Sequence, residues 1–281
     1  MSQARKEVWA SGEAYEPYVG RWSRLVGREF VAWLRVPPGS RWLDVGCGPG
    51  ALTQTILDAA SPAGVAGIDP STAYVEYARS RVRDARVSFD VGDARSLAAG
   101  SGAYDAVVSG LVLNFVPEPG RAAGEMARVA RPGGVGGGYV WDYAGKMELM
   151  RYFWDAAVAL DPLARDLDEG RRFTICQPEP LAELFRAAGL RDVEVRPIDV
   201  PTIFRDFDDY WSPFLGGQGP APSYAMSLSD ERRGALRERI RATLPIRPDG
   251  AIHLVARAWA VRGVVPGEAH ATQIRMPDPS R

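Results

Sequence analysis

The sequence predicts an α/β protein with a Rossmann-like, doubly wound sheet of seven strands, the last of them antiparallel, and helical cap insertions. Between residues 41 and 141, short apolar runs alternate with amphipathic segments. A glycine-rich turn follows the first run, and an acidic residue follows each of the next two. Strands that alternate with helices favour a parallel sheet with right-handed crossovers.

The elements of this region follow from the spacing of their apolar residues. A helix over 15–35 comes first, and "VPPG" at 36–39 ends it. Strands are predicted at 41–45, 65–69, 86–92, 104–110 and 135–141, and helices at 51–60, 71–82 and 118–130. Ser71 is the expected N-cap of the second of these helices. "RPGG" at 131–134 is expected to form the turn before the glycine-rich fifth strand.

The alternation ends after residue 141. The pattern there predicts helices at 144–160 and 178–190, strands at 192–198 and 252–261, and a loop over 209–224. The strand at 252–261 alternates like a half-buried strand at a sheet edge. The predicted organisation is an N-terminal helical lid (1–40), a core (41–142), cap insertions (143–178 and 199–250), the remaining core (179–198 and 251–262) and a disordered tail (263–281).

Composition excludes several classes of protein. The chain of 281 residues is 46% hydrophobic and 25% charged with a net charge of −1, which is typical of a globular protein and unlike a basic nucleic-acid binder. No apolar run reaches the ~20 residues of a membrane span, and no secretory signal is evident. Cys47 and Cys176 are the only cysteines, so a reduced, cytoplasmic protein is expected. The two histidines, His253 and His270, predict no metal site.

The turn "LDVGCGPG" places Gly46, Gly48 and Gly50 within five positions. Glycine is favoured where φ is positive or where a ligand lies against bare backbone. This turn joins the first strand to its helix, at the carboxyl edge of the sheet, where ligands of such folds bind. The turn therefore predicts a ligand site without identifying the ligand.

"LDVGCGPG" resembles the first motif of the class I S-adenosylmethionine-dependent methyltransferases of the type 11, UbiE-like group. Further motifs of that family follow in order: "GIDPS" with Asp69, "GDA" at 92–94, "YDAVVSGLVLNFV" at 104–116 and "ARPGG" at 130–134. The resemblance covers residues 41–141. Beyond Tyr143 it extends only to the architecture, in which a sixth strand and an antiparallel seventh complete the sheet.

The resemblance implies S-adenosyl-L-methionine as cofactor and assigns residues to its parts. Asp69 would accept both ribose hydroxyls and Asp93 the adenine amine, whereas their alternative roles are a helix cap and a turn residue. The other implied contacts are Asp44 toward the amino group, the backbone of Gly46 and Gly48, Cys47 as a small packed residue rather than a nucleophile, Pro70, the Ala94 amide and the Leu111 carbonyl. Tyr18, Arg21 and Trp22 would reach the methionine end, unless their helix simply packs on the sheet.

The implied reaction is methyl transfer, by in-line displacement, to a small, apolar or aromatic molecule. Asn114, Asp142 and Tyr143 are the candidate catalytic residues, with ordinary strand-end roles as the alternative, and asparagine can only orient a substrate. The acceptor pocket is expected in the cap insertions, where core packing accounts for most of the aromatic residues but their number still favours an apolar or aromatic acceptor. These residues are Phe153, Trp154, Phe173, Phe204, Tyr210, Trp211, Phe214 and Tyr224.

Two rival functions remain open. A nicotinamide-dependent oxidoreductase would carry G-x-G-x-x-G, whereas this turn reads G-x-G-x-G and is preceded by Asp44. The other is a non-enzymatic binder of S-adenosylmethionine, which a methyl-transfer assay distinguishes from an enzyme.

Overall fold

The structure, a computed structural model, describes residues 21–216 and 219–267. Its seven strands are β1 (Arg41–Val45), β2 (Gly64–Asp69), β3 (Val87–Val91), β4 (Tyr104–Gly110), β5 (Ala130–Trp141), β6 (Arg191–Phe204) and β7 (Ile252–Val264). They form one sheet in the order β3-β2-β1-β4-β5-β7-β6. Strands β1 to β5 are parallel, and β7 pairs antiparallel with β5 and with β6. The predicted fold class is confirmed.

Helices cover both faces of the sheet and its carboxyl edge. They are α1 (Arg21–Leu34), α2 (Ala51–Ala60), α3 (Thr72–Arg81), α4 (Pro119–Val129), α5 (Glu148–Leu160), α6 (Glu169–Arg172), α7 (Pro178–Ala187), α8 (Phe207–Trp211), α9 (Pro220–Ser227) and α10 (Asp230–Thr243). β1 and α2 have the predicted bounds. The hydroxyl of Ser71 accepts a hydrogen bond from the Tyr74 backbone N–H, so the predicted N-cap of α3 is confirmed.

The glycines of β5 let neighbouring elements approach the sheet closely. A Cβ on Gly136 would lie 2.5 Å from Leu190 Cδ2, and a Cβ on Gly137 would lie 3.0 Å from Leu34 Cδ2 of α1. Positions 136 and 137 of β5 are therefore glycine because Leu190, after α7, and Leu34, of α1, occupy the space of a side chain. The predicted turn at 131–134 is instead an irregularity within β5, where the pairing with β4 shifts register.

The C-terminal half differs from the prediction in three ways. β6 continues to Phe204, beyond the predicted strand 192–198 and into the predicted cap insertion. β7 is an interior strand, paired on both sides, and β6 forms the edge. The segment 209–224, predicted as a loop, contains the end of α8, a 3-10 turn at Ser212–Gly216 and the start of α9.

Most aromatic residues expected around an acceptor form the core of the cap instead. Phe153 stacks on Phe214 with ring centroids 4.6 Å apart, and Phe204 contacts Tyr210 at 5.3 Å. Trp154 is buried, and its Nε1–H donates to Glu169, which is also buried. This packing of aromatic rings explains why the cap insertions fold despite their prolines and glycines.

Two further findings concern the ends of the chain and its helices. Residues 263–264 of the predicted tail belong to β7, and 268–281 lie outside the described residues.

Within the described ranges, no helix has the length and apolar character that crossing a bilayer requires.

Candidate functional site

A cavity of about 340 Å³ lies at the carboxyl ends of β1, β2, β3 and β4. This volume falls in the range of roughly 300–1,000 Å³ typical of small-molecule sites. The residues that border it are Ser23, Gly46, Cys47, Gly48, Pro49, Ala51, Leu52, Asp69, Pro70, Ser71, Tyr74, Gly92, Asp93, Ala94, Arg95, Gly110, Leu111, Val112, Phe115, Val116, Pro117 and Tyr139. It includes the point where the strand order reverses between β1 and β4, as expected for this sheet.

The glycine loop after β1 forms one wall of the cavity. Gly46, Gly48 and Gly50 have φ values of 74°, 52° and 88°, in the left-handed region that favours glycine. A Cβ on Gly46 would lie 2.5 Å from Val112 Cγ1, whereas a Cβ on Gly48 would have no heavy atom of the described residues within 4 Å. Gly46 thus permits close packing with the loop after β4, and Gly48 leaves bare backbone at the cavity.

Asp69 ends β2 and borders the cavity. Its Oδ2 accepts a hydrogen bond from the Gly48 backbone N–H at 3.0 Å, and its Oδ1 accepts one from the Ser71 backbone N–H at 2.9 Å. Burial raises the pKa of this carboxyl, against the lowering effect of the two hydrogen bonds. Because each carboxylate oxygen has two lone pairs, both oxygens keep capacity for a further donor.

Asp44, which by the resemblance helps to hold the amino group, often through water, does not border the cavity itself. It is fully buried in β1, and its Oδ2 accepts a hydrogen bond from the Thr53 hydroxyl at 2.7 Å. Its Oδ1 is buried and has no hydrogen-bond partner among the described residues. Burial raises the pKa of Asp44 to about 7, while the Thr53 hydrogen bond lowers it and the charge of Asp69 raises it further.

Cys47 borders the cavity but is buried, and burial raises the pKa of its thiol, with the charges of Asp44 and Asp69 adding to the effect. A thiol with a raised pKa is a poor nucleophile at neutral pH. The interpretation of Cys47 as a packed residue agrees with this environment. Pro70, beside Asp69, also borders the cavity.

Asp93 and Ala94 follow β3 and border the cavity. The carboxylate of Asp93 is paired with the guanidinium of Arg95, with Nη2 2.7 Å from Oδ2. Hydrogen bonds from Arg95 lower the pKa of Asp93 to about 2, so this carboxyl is ionised. Arg95 borders the same cavity, and the sequence analysis did not single it out.

Leu111 occupies an unusual backbone conformation at the end of β4. Its φ is 62°, a region that leucine seldom adopts and that costs roughly 1–2 kcal/mol. Its backbone N–H donates to the Tyr139 carbonyl at 2.8 Å, which holds this conformation in place. Strained residues of this kind concentrate at functional sites, and Leu111 borders the cavity.

The three candidate catalytic residues lie outside the cavity wall. Asn114 is buried, and its Nδ2 has no hydrogen-bond partner in the described part of the chain. Asp142 Oδ2 accepts from the Lys146 backbone N–H at 2.9 Å and so stabilises the turn after β5. Tyr143 is buried against Phe173, with ring centroids 5.8 Å apart. The contacts of Asp142 and Tyr143 correspond to the strand-end alternative.

The N-terminal candidates are only partly described. Trp22 is buried and packs edge-on against Phe204 at 5.6 Å, and it does not border the cavity. The alternative of packing on the sheet therefore holds for Trp22. Ser23, the next residue of α1, borders the cavity instead. Tyr18 lies outside the described residues, as does the side chain of Arg21.

An aromatic group extends from the cavity toward the cap. Phe115 borders the cavity and contacts Phe173 edge-on at 5.1 Å. Phe173 also contacts Tyr143, and the guanidinium of Arg172 lies 5.2 Å from the Phe173 ring centroid. Among the aromatic residues expected around an acceptor, these ring contacts place Phe173 next to a residue that borders the cavity.

Several cavity residues were not predicted because they come from separate elements. Tyr74 lies in the first turn of α3 and Tyr139 lies on β5, while Arg95 and Phe115 follow β3 and β4. The loop residues could have been found, because each directly follows a predicted motif. Tyr139 gave no such signal, since its approach to the cavity depends on contacts across the sheet.

The comparisons with known proteins agree with this geometry. A family profile described as "Methyltransferase domain" matches residues 43–136. The chain is 31% identical over 176 residues to a ubiquinone biosynthesis O-methyltransferase of Burkholderia thailandensis, covering 60% of this chain and 72% of that protein. It is 30% identical over 187 residues to the 2-methyl-6-phytyl-1,4-hydroquinone methyltransferase of Synechocystis sp., covering 66% and 57%. The chain thus spans little more than half the length of the second relative.

Solved structures share the fold. The chain superposes on the phosphoethanolamine N-methyltransferase 2 of Haemonchus contortus, crystallised with S-adenosyl-L-methionine, with a TM-score of 0.55 and 18% identity. The match covers 91% of this chain and 56% of that one. At 18% identity, this likeness shows a shared fold and nothing more.

Proposed function

The chain belongs to the class I S-adenosylmethionine-dependent methyltransferases, and we propose that it methylates a small, apolar or aromatic molecule. One observation carries this proposal. Bare backbone at Gly48, the carboxylate of Asp69 and the carboxylate of Asp93 border one cavity at the carboxyl edge of the sheet. A nucleoside with a charged amino-acid tail needs close backbone approach, an acceptor for its ribose hydroxyls and an acceptor for its adenine amine.

The residues present fit S-adenosyl-L-methionine, the cofactor of this family. Asp69 has spare lone pairs on both oxygens, which suits the two ribose hydroxyls. Asp93 and the Ala94 amide suit the adenine edge, with the pairing of Asp93 to Arg95 as a competing contact. The carbonyl of Leu111, held by the hydrogen bond between Leu111 and Tyr139, is the proposed acceptor for the ammonium group.

Asp44 has an indirect role in this proposal. Its carboxylate lies beneath the glycine loop, where Oδ1 lacks a partner among the residues described. A buried acceptor of this kind favours a nearby donor or cation. We therefore propose that Asp44 supports the glycine loop and the amino end of the cofactor from below, and that it does not contact the cofactor directly.

When bound, the cofactor supplies an activated methyl group on a sulfonium whose leaving group departs neutral. The chain has mainly to align the acceptor, and alignment alone contributes up to about 7–11 kcal/mol. The cavity wall near the loop after β4 is apolar, with Val112, Phe115 and Val116. Phe173 and Tyr143 extend this aromatic surface behind Phe115, which favours a planar, apolar acceptor.

The acceptor class also draws support from the relatives. Both relatives act, by their names, in the methylation of quinone-type compounds. We propose a hydroxylated aromatic ring as the acceptor. Asn114, Asp142 and Tyr143 do not border the cavity, so the main contribution expected of the described residues is to orient the acceptor.

Two measurements test the proposal. Titration calorimetry should detect binding of S-adenosyl-L-methionine, and no comparable binding of NAD or NADH. A methyl-transfer assay with a panel of hydroxylated quinols should then yield product, whereas peptides and RNA should not react. Phe115→Ala is expected to raise the KM for the aromatic acceptor while leaving cofactor affinity within about twofold, because only the acceptor wall changes.

The outcomes separate the rival functions. Binding of a pyridine dinucleotide in place of the sulfonium compound would overturn the proposal in favour of an oxidoreductase. Cofactor binding without transfer to any member of the panel would favour a non-enzymatic binder.

A further inference from the structure

The carboxylate of Asp93 is almost fully engaged by one neighbouring residue. The Arg95 backbone N–H donates to Oδ1 at 2.8 Å, and Nε lies 3.1 Å from Oδ1 and 3.2 Å from Oδ2. Nη2 donates to Oδ2 at 2.7 Å. A carboxylate offers about four lone-pair directions, so these contacts leave little acceptor capacity for a purine amino group.

Arg95 also has a second partner. Its Nη1 lies 3.2 Å from Oε2 of Glu118, at the N-terminus of α4. The guanidinium therefore bridges two carboxylates, and it borders the cavity together with Asp93. Both side chains of the pair remain partly exposed, at 33% and 46%, so the pair can rearrange when a ligand enters.

The chemistry of the purine edge makes this pairing informative. Adenine presents an amino donor beside a ring-nitrogen acceptor, whereas hypoxanthine presents a carbonyl acceptor beside a ring N–H donor. A bare carboxylate only accepts, so it would favour the amino group and repel the carbonyl oxygen. A carboxylate paired with a guanidinium offers an acceptor and a donor side by side, and so can satisfy either edge.

We propose that Arg95 determines purine selectivity in this cavity: by covering Asp93 and offering its own donors, it lets the site bind 6-oxo purine nucleosides alongside 6-amino ones. The inference rests on the proposed function, in which the purine of the cofactor lies at Asp93. It assigns to Arg95 a positioning and specificity role, with no part in the transfer itself.

Calorimetric titration of the full chain with S-adenosyl-L-homocysteine and S-inosyl-L-homocysteine tests this directly. For the wild type, we expect the two Kd values to lie within about tenfold of each other. For Arg95→Met, the ratio of inosyl to adenosyl Kd should grow at least about tenfold, the effect of one charge-assisted hydrogen bond. Arg95→Lys keeps a single donor and should give an intermediate ratio.

Arg121 provides the matched control, because its charge acts on Asp93 without a hydrogen bond to it. Arg121→Met should leave the ratio at the wild-type value, which separates specific pairing from loss of positive charge. In Asp93→Asn, the further change Arg95→Met should no longer alter the ratio.

An unchanged ratio in Arg95→Met, with adenosyl binding retained, would overturn the inference and leave the proposed function standing. Failure of the wild type to bind either nucleoside would instead overturn the proposed function. Should Arg95→Met not fold, as judged by thermal unfolding, the ratio for Arg95→Lys decides: a wild-type value contradicts the inference, and an increased one supports it.

Discussion

The carboxylate of Asp69 accepts a hydrogen bond from the backbone N–H of Gly48 at 3.0 Å, which ties the end of β2 to the glycine loop after β1. The second oxygen of Asp69 is held by the Ser71 backbone N–H, at the start of α3. The orientation of this carboxylate is thus set by backbone before any ligand enters. A preorganised acceptor loses little conformational freedom on binding.

Asp69→Ala should weaken S-adenosylmethionine binding sharply, because the proposed acceptor for both ribose hydroxyls is lost. Hydrogen bonds to a charged group contribute roughly 1.5–3 kcal/mol, so Kd should rise roughly ten- to hundredfold. Circular dichroism should still report a folded chain, since the change removes no apolar side chain from the core. The affinity is measured by titration calorimetry.

Asp90 supplies the control for this variant. It lies on β3 opposite Ile68, and its side chain is 73% exposed. Asp90→Ala removes one negative charge from the same edge region without altering the cavity, so its Kd should match the wild type. Equal affinities for Asp69→Ala and Asp90→Ala would contradict the ribose assignment.

Gly46→Ala and Gly48→Ala should separate stability from binding. A methyl group at position 46 meets the side chain of Val112, so overpacking and positive φ together should cost about 2–4 kcal/mol of unfolding free energy. At position 48 the methyl group meets no atom of residues 21–216 or 219–267 within 4 Å, so the cost should be only about 1 kcal/mol.

The affinity for the cofactor should fall in Gly48→Ala, although this variant is expected to lose little stability. The new methyl group of Gly48→Ala stands where the bare backbone faces the cavity, and Kd for S-adenosylmethionine should rise at least about tenfold. Urea unfolding and titration calorimetry on the same two variants give both quantities. Wild-type affinity in Gly48→Ala would mean that the cofactor does not approach this stretch of backbone.

The raised pKa of Asp44 predicts a pH-dependent loss of stability. Since the folded state holds the proton up to about pH 7, while an unfolded aspartate releases it near pH 4, the protonated form favours folding at low pH. This contribution is fully present below about pH 4 and is lost as the pH rises to about 7. A shift of this size corresponds to an effect on the order of 4 kcal/mol.

Asp44→Asn isolates this effect, because asparagine does not titrate and its oxygen can still accept from Thr53. The unfolding free energy of the variant minus that of the wild type should increase between pH 4 and pH 7.5. Urea unfolding at several pH values measures the difference. Parallel curves across this range would mean that Asp44 is ionised in the fold at little cost.

Because Leu111 has a left-handed backbone conformation, we expect the fold to tolerate glycine at this position better than valine. Glycine relieves a strain of roughly 1–2 kcal/mol but loses apolar contact and adds unfolded-state entropy, so Leu111→Gly should change stability by less than about 1 kcal/mol. Valine is β-branched and fits a positive φ poorly, so Leu111→Val should destabilise the fold by about 1–2 kcal/mol more than Leu111→Gly. Differential scanning calorimetry measures both, and the reverse order would contradict the strain argument.

The parallel half of the fold could be predicted because local signals agree with each other there. Ser71 caps α3 as its hydroxyl suggests, and β1 and α2 begin and end where the apolar pattern changes. The segment 209–224 could not be predicted in this way. Its prolines and glycines are typical of a loop, yet Pro220 begins α9 and Tyr210 is buried in the cap.

The candidate site, like the fold, could be predicted only where local sequence signals mark its residues. Asp69, Asp93 and Leu111 follow directly from motifs at the ends of successive strands, and all of them border the cavity. Most aromatic residues of the cap are buried, which agrees with core packing as the ordinary role of such residues, and the sequence alone does not distinguish a packed ring from one that faces a ligand. The same holds for Trp22 of the N-terminal helix, whose ring packs on Phe204, on a strand far away in sequence.

The glycine at the end of β4 has a consequence for the shape of the enzyme. A Cβ on Gly110 would lie 2.7 Å from the hydroxyl oxygen of Tyr139, and a Cβ on Gly27 of α1 would lie 3.6 Å from the same atom. The missing side chain at Gly110 therefore makes room for this hydroxyl, whereas the distance from Gly27 is that of an ordinary contact. Tyr139 borders the cavity and its ring also contacts Phe30 of α1. A change in the size of this one ring is thus expected to alter both the cavity wall and the packing of the first helix.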